Sequence, residues 1–157
     1  MDVPFKAVRV QLDSDAEEGI EQAARVARYA ALGELCRIHS VQFLLTAHHQ
    51  DDQAETVLLQ LFRGAGLRGL GGMLDLHDAH GLTGGDVLVG RPLLECSRKA
   101  LEQLASALDI AHVQDESNAD TRYRRNAIRQ QIMPVIEHTY PGMAATIARS
   151  SYLTNLR

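Results

Sequence analysis

No apolar run in this sequence approaches the ~18–20 residues that a membrane-spanning helix needs, so nothing in it is expected to cross a bilayer. The first ten residues, MDVPFKAVRV, lack the basic n-region and apolar h-region of an export signal. Cysteine is nearly missing as well. Cys36 and Cys96 stand alone, far apart and within helical patterns, which excludes a disulfide framework and a thiolate metal cluster. Together these absences predict a cytoplasmic protein with reduced thiols. Lysine occurs only at Lys6 and Lys99 among 16 basic residues, a bias that genomic composition explains as well as chemistry does. A strongly basic overall field is absent too, since the net charge is -4. What remains is 157 residues, 45% hydrophobic and 23% charged, enough for one globular domain with a real core.

Phe5 to Leu12 alternates apolar and polar residues and predicts a strand. Ser14 and Glu17 form a capping box for a helix over residues 16–36, whose apolar stripe is Ile20, Ala23, Ala27, Ala31 and Leu35. So much alanine implies a close neighbour. Arg25, Arg28 and Tyr29 share a face of the same helix. Val41 to Ala47 is apolar without alternation, which predicts a strand covered on both faces as in a parallel sheet. The resulting β-α-β-α order predicts an α/β fold with a doubly wound sheet.

A second helix follows, with Asp52 and Glu55 as N-cap and N3 partner and Ala54, Leu58 and Leu61 on its buried side. Five glycines then fall between Gly64 and Gly72. Gly64, Gly66 and Gly69 spell G-x-G-x-x-G, but a dinucleotide fingerprint follows a strand and opens a helix, whereas this one follows a helix. It reads as a helix stop and a tight loop. Leu74 to Gly85 suggests a hairpin, Val87 to Val89 a short strand, and Ser97 the cap of a helix bearing Leu101, Leu104, Ala105 and Leu108. Ile110 to Val113 predicts a last short strand, and Ile128 to Leu153 helix with a break near Pro141-Gly142.

The densest reactive constellation is His48, His49, Asp51, Asp52 and Glu55, just after a buried strand, where open α/β sheets present their functional groups. Two chemistries fit it. The cluster holds a divalent metal directly, as in a phosphohydrolase, or it orients Mg²⁺, a nucleotide and an amine nucleophile for nucleotidyl transfer. Arg122, Arg124, Arg125, Asn126 and Arg129 form either a solvated basic face or a phosphate grip, since guanidinium forks match phosphate oxygens. The neighbouring Asp115-Glu116-Ser117-Asn118 adds more polar specificity than solubility requires.

The stretch TAHHQDDQAETVLLQLFRGAGLRGLGGM, residues 46–73, closely resembles the tRNA(Ile)-lysidine synthetases. AARVARYAAL at 23–32, RPLL at 91–94 and DESNADTRYRRNAIR at 115–129 agree with that family in the same order. The resemblance implies an N-type ATP pyrophosphatase with an incomplete Rossmann-like parallel sheet of the adenine-nucleotide type. Residues 1–127 would be a partial nucleotide-binding catalytic domain, and 128–157 a helical segment leading towards a further domain. It implies a ligase that activates C2 of cytidine 34 by adenylation with ATP, releasing pyrophosphate, in the isoleucine tRNA with a CAU anticodon. Free lysine then displaces AMP to form lysidine.

Carried onto this chain, Asp52 and Glu55 would serve the lysine amine and Mg²⁺, with Asp51 as a further Mg²⁺ ligand. Arg125, with Arg25 or Arg28, would bind ATP phosphate or the tRNA. His48 and His49 would line the nucleotide pocket, and Asn126 and Arg129 would join the nucleotide or tRNA contacts. Two other readings compete: a metal-dependent phosphohydrolase built on His48, His49, Asp51 and Asp52, and a non-catalytic RNA-binding remnant relying on residues 122–129. A related 2-thiocytidine synthetase would need clustered cysteines, which two isolated ones do not supply.

One family element has no counterpart. The Ser-Gly-Gly-x-Asp-Ser loop that cradles pyrophosphate is not present, and Thr83-Gly84-Gly85-Asp86 lies in the wrong place and reads as a turn. The expectation is therefore a truncated or degenerate catalytic domain with an open sheet edge prone to self-association. The 157-residue chain by itself is predicted to give no ATP–pyrophosphate exchange; measurable exchange would show that the loop is dispensable.

Overall fold

The computed structural model describes residues 3–11, 20–113 and 120–156, without the side chains of 20 and 21. The expected capping box at Ser14 and Glu17 and the polar stretch 115–118 lie outside those residues. The chain divides into two compact units, one containing the residues up to Leu45 with Leu76–Gly90, the other Thr46–Asp75 with the residues from Arg91 onward.

The first unit holds helix α1 (Ile20–Ile38) and three short strands: β1 (Phe43–Leu45), β2 (Leu76–Asp78) and β3 (Leu88–Gly90). The sheet order is β1-β3-β2, with β1 parallel and β2 antiparallel to β3. The fold is thus α/β, but its sheet is mixed rather than wholly parallel. The hairpin expected within 74–85 is not closed there: that stretch holds β2 and a four-residue helix, α4 (His80–Thr83), and β2 pairs instead with β3, close to the strand expected at 87–89. Gly84, at φ 69°, ends α4 in the left-handed region, so Thr83-Gly84-Gly85-Asp86 is a turn.

Two strand expectations fail. Residues 5–11 pair with no strand and are exposed, Phe5 at 87%. Alternation alone cannot make a strand; the backbone needs a ladder partner, and none reaches it among the described residues. The apolar run 41–47 forms only a three-residue strand, covered on one face. Leu44 packs with Tyr29, Ala79 and Val89, whereas Phe43 and Leu45, pointing the other way, are 54% and 67% exposed.

On α1 the buried line runs through Tyr29, Gly33 and Cys36 rather than along the alanines. The reason is a close approach: a Cβ on Gly33 would lie 2.1 Å from the Thr83 carbonyl oxygen. Arg25 and Arg28 extend over the Tyr29 ring, at 5.0 and 5.9 Å from its centre.

The second unit is helical. It contains α2 (Gln50–Phe62), α3 (Leu67–Leu70), α5 (Arg98–Ala107), α6 (Arg124–Ala127), a π-helical turn (Ile128–Ile132), α7 (Met133–Thr139) and α8 (Met143–Asn155). Its core is Ala54 and Leu58 of α2 against Ile128, Met133 and Ala144, flanked by Leu59, Ile132, Ile136 and Ile147. Leu61, expected on the buried side of α2, is 51% exposed. The π turn ends at Ile132, just before Met133-Pro134, and the Pro134 ring nitrogen has no hydrogen to donate to the preceding turn, so the regular ladder is interrupted there. The chain breaks again at Gly142, φ 81°, as expected from Pro141-Gly142.

Ser97 caps α5 by accepting the Ala100 N–H at 3.2 Å, as its sequence predicts. The apolar stripe of α5 is not covered, however: Leu104 and Leu108 remain more than half exposed. Ile110 to Val113 forms no strand and is exposed.

The glycine loop is a helix stop, and more. Gly64 adopts φ 72° just past α2. Gly72, at φ 65°, passes so close to Gln53 that a Cβ would lie 2.9 Å from its amide. The buried Gln53 grips the loop's far end, donating to the Met73 carbonyl at 2.9 Å and accepting the Met73 N–H at 2.8 Å. It also donates to the buried Ser151 hydroxyl at 3.0 Å.

Gly64→Ala faces open space and should cost about 1 kcal/mol from its left-handed backbone alone. Gly72→Ala adds loss of the Gln53 clamp and should cost about 2–3 kcal/mol. Chemical denaturation of the two variants measures the difference, and equal losses would contradict the clamp.

Candidate active site

The polar tip begins where β1 ends. Thr46 Oγ1 lies 2.8 Å from His48 Nδ1. His49, extended at φ -123° and ψ -179°, is the N-cap of α2. Its Nδ1 accepts the Asp52 N–H at 3.3 Å, while Asp52 Oδ2 accepts the His49 N–H at 3.0 Å. This is a reciprocal capping box, one turn earlier than the sequence suggests. Asp52 occupies N3, not the cap, because the helix starts at Gln50 and the imidazole supplies the cap acceptor. Glu55 is thereby moved out of the cap and one turn into the helix.

Glu55 is instead buried, 2% exposed, and needs cationic partners there. It has two. Arg129 donates through Nε to Oε1 at 2.6 Å and through Nη2 to Oε2 at 2.9 Å, a bidentate fork. The same Nη2 donates to Asp52 Oδ1 at 3.1 Å. Arg125 brings its Nε to 3.6 Å from Glu55 Oε2 and donates from Nη2 to Thr56 Oγ1 at 2.6 Å. Two carboxylates and two guanidiniums therefore form a charge-balanced quartet between α2 and the helical run 124–139. The hydrogen bonds of Glu55 push the Arg129 guanidinium above its ordinary range, against the opposing effect of burial.

The remaining expected residues fall as follows. Asp51 Oδ2 accepts the Arg98 N–H at 2.8 Å and anchors the start of α5. Asn126 donates to the Asp120 carbonyl at 3.0 Å, which fixes the turn leading into α6. Arg122 forks onto Asp120 at the surface and holds that carboxyl below its usual range. Arg25 and Arg28 belong to the first unit and take no part in the quartet's bonds. Thr56 and Gln53 were missed; both sit inside the signature stretch, and only their partners reveal them.

Among the described residues no all-protein cage for a metal is built in advance. Asp51 and Asp52 are engaged by backbone N–H groups and Arg129, and among the described residues no three His, Cys, Asp or Glu side chains are grouped to hold an ion.

The profile of the PP-loop domain matches residues 1–136. The chain belongs to the PP-loop family. This is an ATP-binding family, which agrees with the expected nucleotide fold. Curated relatives include the tRNA(Ile)-lysidine synthase of Ralstonia nicotianae, 48% identical over 94% of this chain and 30% of that protein. The tRNA(Ile)-lysidine synthase of an Azoarcus species is 43% identical over 92% of this chain and 31% of its own length. The chain thus spans about a third of the curated relatives it matches. Among solved structures, the U34-tRNA thiolase NcsA of Methanococcus maripaludis, determined with its 4Fe-4S cluster, superimposes with a TM-score of 0.66. At 20% identity over 92% of this chain and 47% of that one, this shows a shared fold.

Glu55→Gln keeps the shape but leaves two guanidiniums facing a neutral amide. It should destabilise the protein by about 3 kcal/mol, the low end for breaking a buried pair because both arginines keep some solvent. Asp51→Asn, at a half-exposed helix start, should cost under about 1 kcal/mol. Denaturant midpoints at neutral pH separate the two.

Proposed function

We propose that this chain supplies part of the catalytic domain of a tRNA(Ile)-lysidine synthase. The observation carrying the proposal is its 43–48% identity, over nearly the whole chain, to proteins of that name. The reaction has two steps. The C2 carbonyl oxygen of cytidine 34, in the CAU anticodon of the isoleucine tRNA, attacks the α-phosphorus of ATP, and the bond to pyrophosphate breaks. The ε-amine of free lysine then attacks C2, loses a proton, and the C2–O bond breaks to release AMP.

Each step makes a demand that these side chains suit. Adenylyl transfer gathers negative charge on phosphate oxygens, and fixed guanidinium donors stabilise it without reorganising. Arg125 is the member of the quartet whose donors are least used, which supports it as the phosphate contact. Arg25 and Arg28, held over Tyr29, are further candidates for ATP or tRNA phosphate, and His48, His49 and Asn126 for the nucleotide or tRNA surface. An attacking amine must be held in line and deprotonated. Asp52, more open than Glu55, is the better carboxylate for that contact, with Glu55 acting through Arg129. Mg²⁺, expected at Asp51 and Asp52, would be held by those carboxylates together with phosphate oxygens of ATP and would neutralise phosphate charge there, since Mg²⁺ commonly takes one or two carboxylates plus substrate phosphates.

A chimaera tests the proposal: the matching segment of the Ralstonia nicotianae synthase is replaced by this chain, and lysine incorporation into CAU-anticodon isoleucine tRNA is measured. The chimaera should be active. Asp52→Asn should lower its turnover by about a hundredfold or more, as expected when a proton-transfer group is lost. A folded but inactive chimaera, or full activity in the Asp52→Asn form, would overturn the assignment.

A further inference from the structure

We infer that Thr56 is a positioning residue that holds Arg125 ready for an anionic oxygen, while Arg129 serves the fold. This rests on the reading of Arg125 as a phosphate contact. Thr56 Oγ1 donates to the Asp52 carbonyl at 2.8 Å and accepts from Arg125 Nη2 at 2.6 Å. A hydroxyl has one proton and two lone pairs. The helix carbonyl takes the proton, so a lone pair is left to meet the guanidinium.

The other acceptor near Arg125 is Glu55, whose oxygens are taken edge-on by the Arg129 fork at 2.6 and 2.9 Å. Arg125 Nε stays 3.6 Å from Oε2 and is buried without a hydrogen-bond acceptor. Arg125 is thus balanced in charge yet short of acceptors among the described residues. Of its five N–H donors, the one on Thr56 fixes its place. A phosphate or similar oxyanion is the chemistry that suits the terminal N–H donors Thr56 leaves unused, because it offers several acceptors to the guanidinium fork. Arg129 differs: its Nε and Nη2 are spent on Glu55 and Asp52. The two arginines, alike in sequence and four residues apart, do different work.

The Nε–H resonance of Arg125 in ¹⁵N-labelled protein, assigned by its loss in Arg125→Lys, reads this directly. Thr56→Val is isosteric but cannot accept; Thr56→Ser can. The resonance should be sharp and displaced from the solvent-exposed arginine position in the parent and in Thr56→Ser. It should collapse to that position in Thr56→Val while the backbone spectrum stays folded. An unmoved resonance in folded Thr56→Val overturns the positioning role, and a Thr56→Ser variant that fails to restore it does the same. If Thr56→Val does not fold, Thr56→Ala read the same way decides the question. Titrating the parent separately with ATP and with a transcript of the CAU-anticodon tRNA distinguishes the two sources of phosphate oxygen. A resonance that responds to neither overturns the phosphate reading of Arg125 and leaves the Thr56 result standing by itself.

Discussion

An ionised carboxylate with 2% exposure persists only if cations and donors replace the water it has lost. Glu55 meets that condition through Arg129 and Arg125, and much of the second unit follows from it. α2 must lie against the helical run 124–139 for the charges to meet. The aliphatic contacts of Ala54 and Leu58 with Ile128 and Met133 lie along the same seam. The π turn before Pro134 lies in the stretch that carries Arg129. Hydrophobic contact supplies most of the attraction at this seam, and the fork supplies direction.

A second constraint acts at the other side of α2. Gln53 is as buried as Glu55 but neutral, and it solves its burial with backbone and hydroxyl partners at Met73 and Ser151. Asn155 adds a donor to the Gly71 carbonyl at 2.7 Å. The glycine loop is therefore tied down at its end rather than left as a loose connection. α2 carries a charged lock and a neutral one on residues of the signature motif separated only by Ala54.

For function, the consequence is a division of labour that the motif conceals. His49 looks like a ligand and caps a helix. Asp51 looks like a metal ligand and anchors α5. Asp52 is shared between cap and quartet and keeps part of its surface open. A site assembled this way gathers fixed charge of both signs at the start of α2, and the family model that matches the chain is that of an ATP-binding PP-loop domain.

Much of this was legible in the chain itself. Helices α1, α2, α5 and α8, the stop at Gly64, the break at Gly142 and the Ser97 cap follow from local rules, because helix ends and turns are decided by neighbouring residues. The residues of the candidate site were legible as a motif for the same reason: His48 to Glu55 is contiguous. What the sequence could not determine was pairing at a distance. Arg129 and Glu55 stand 74 residues apart, and nothing local distinguishes their bond from a solvated charge. The strand expected at 5–12 and the second covered face of β1 failed for the converse reason, since each needed a partner that tertiary structure alone provides. Composition and periodicity determined which helices form and which residues are reactive. Only the fold decided that Glu55 is locked, that Arg125 is held by Thr56, and that Asp52 joins cap and quartet, because burial and charge pairing are properties of distant segments brought together.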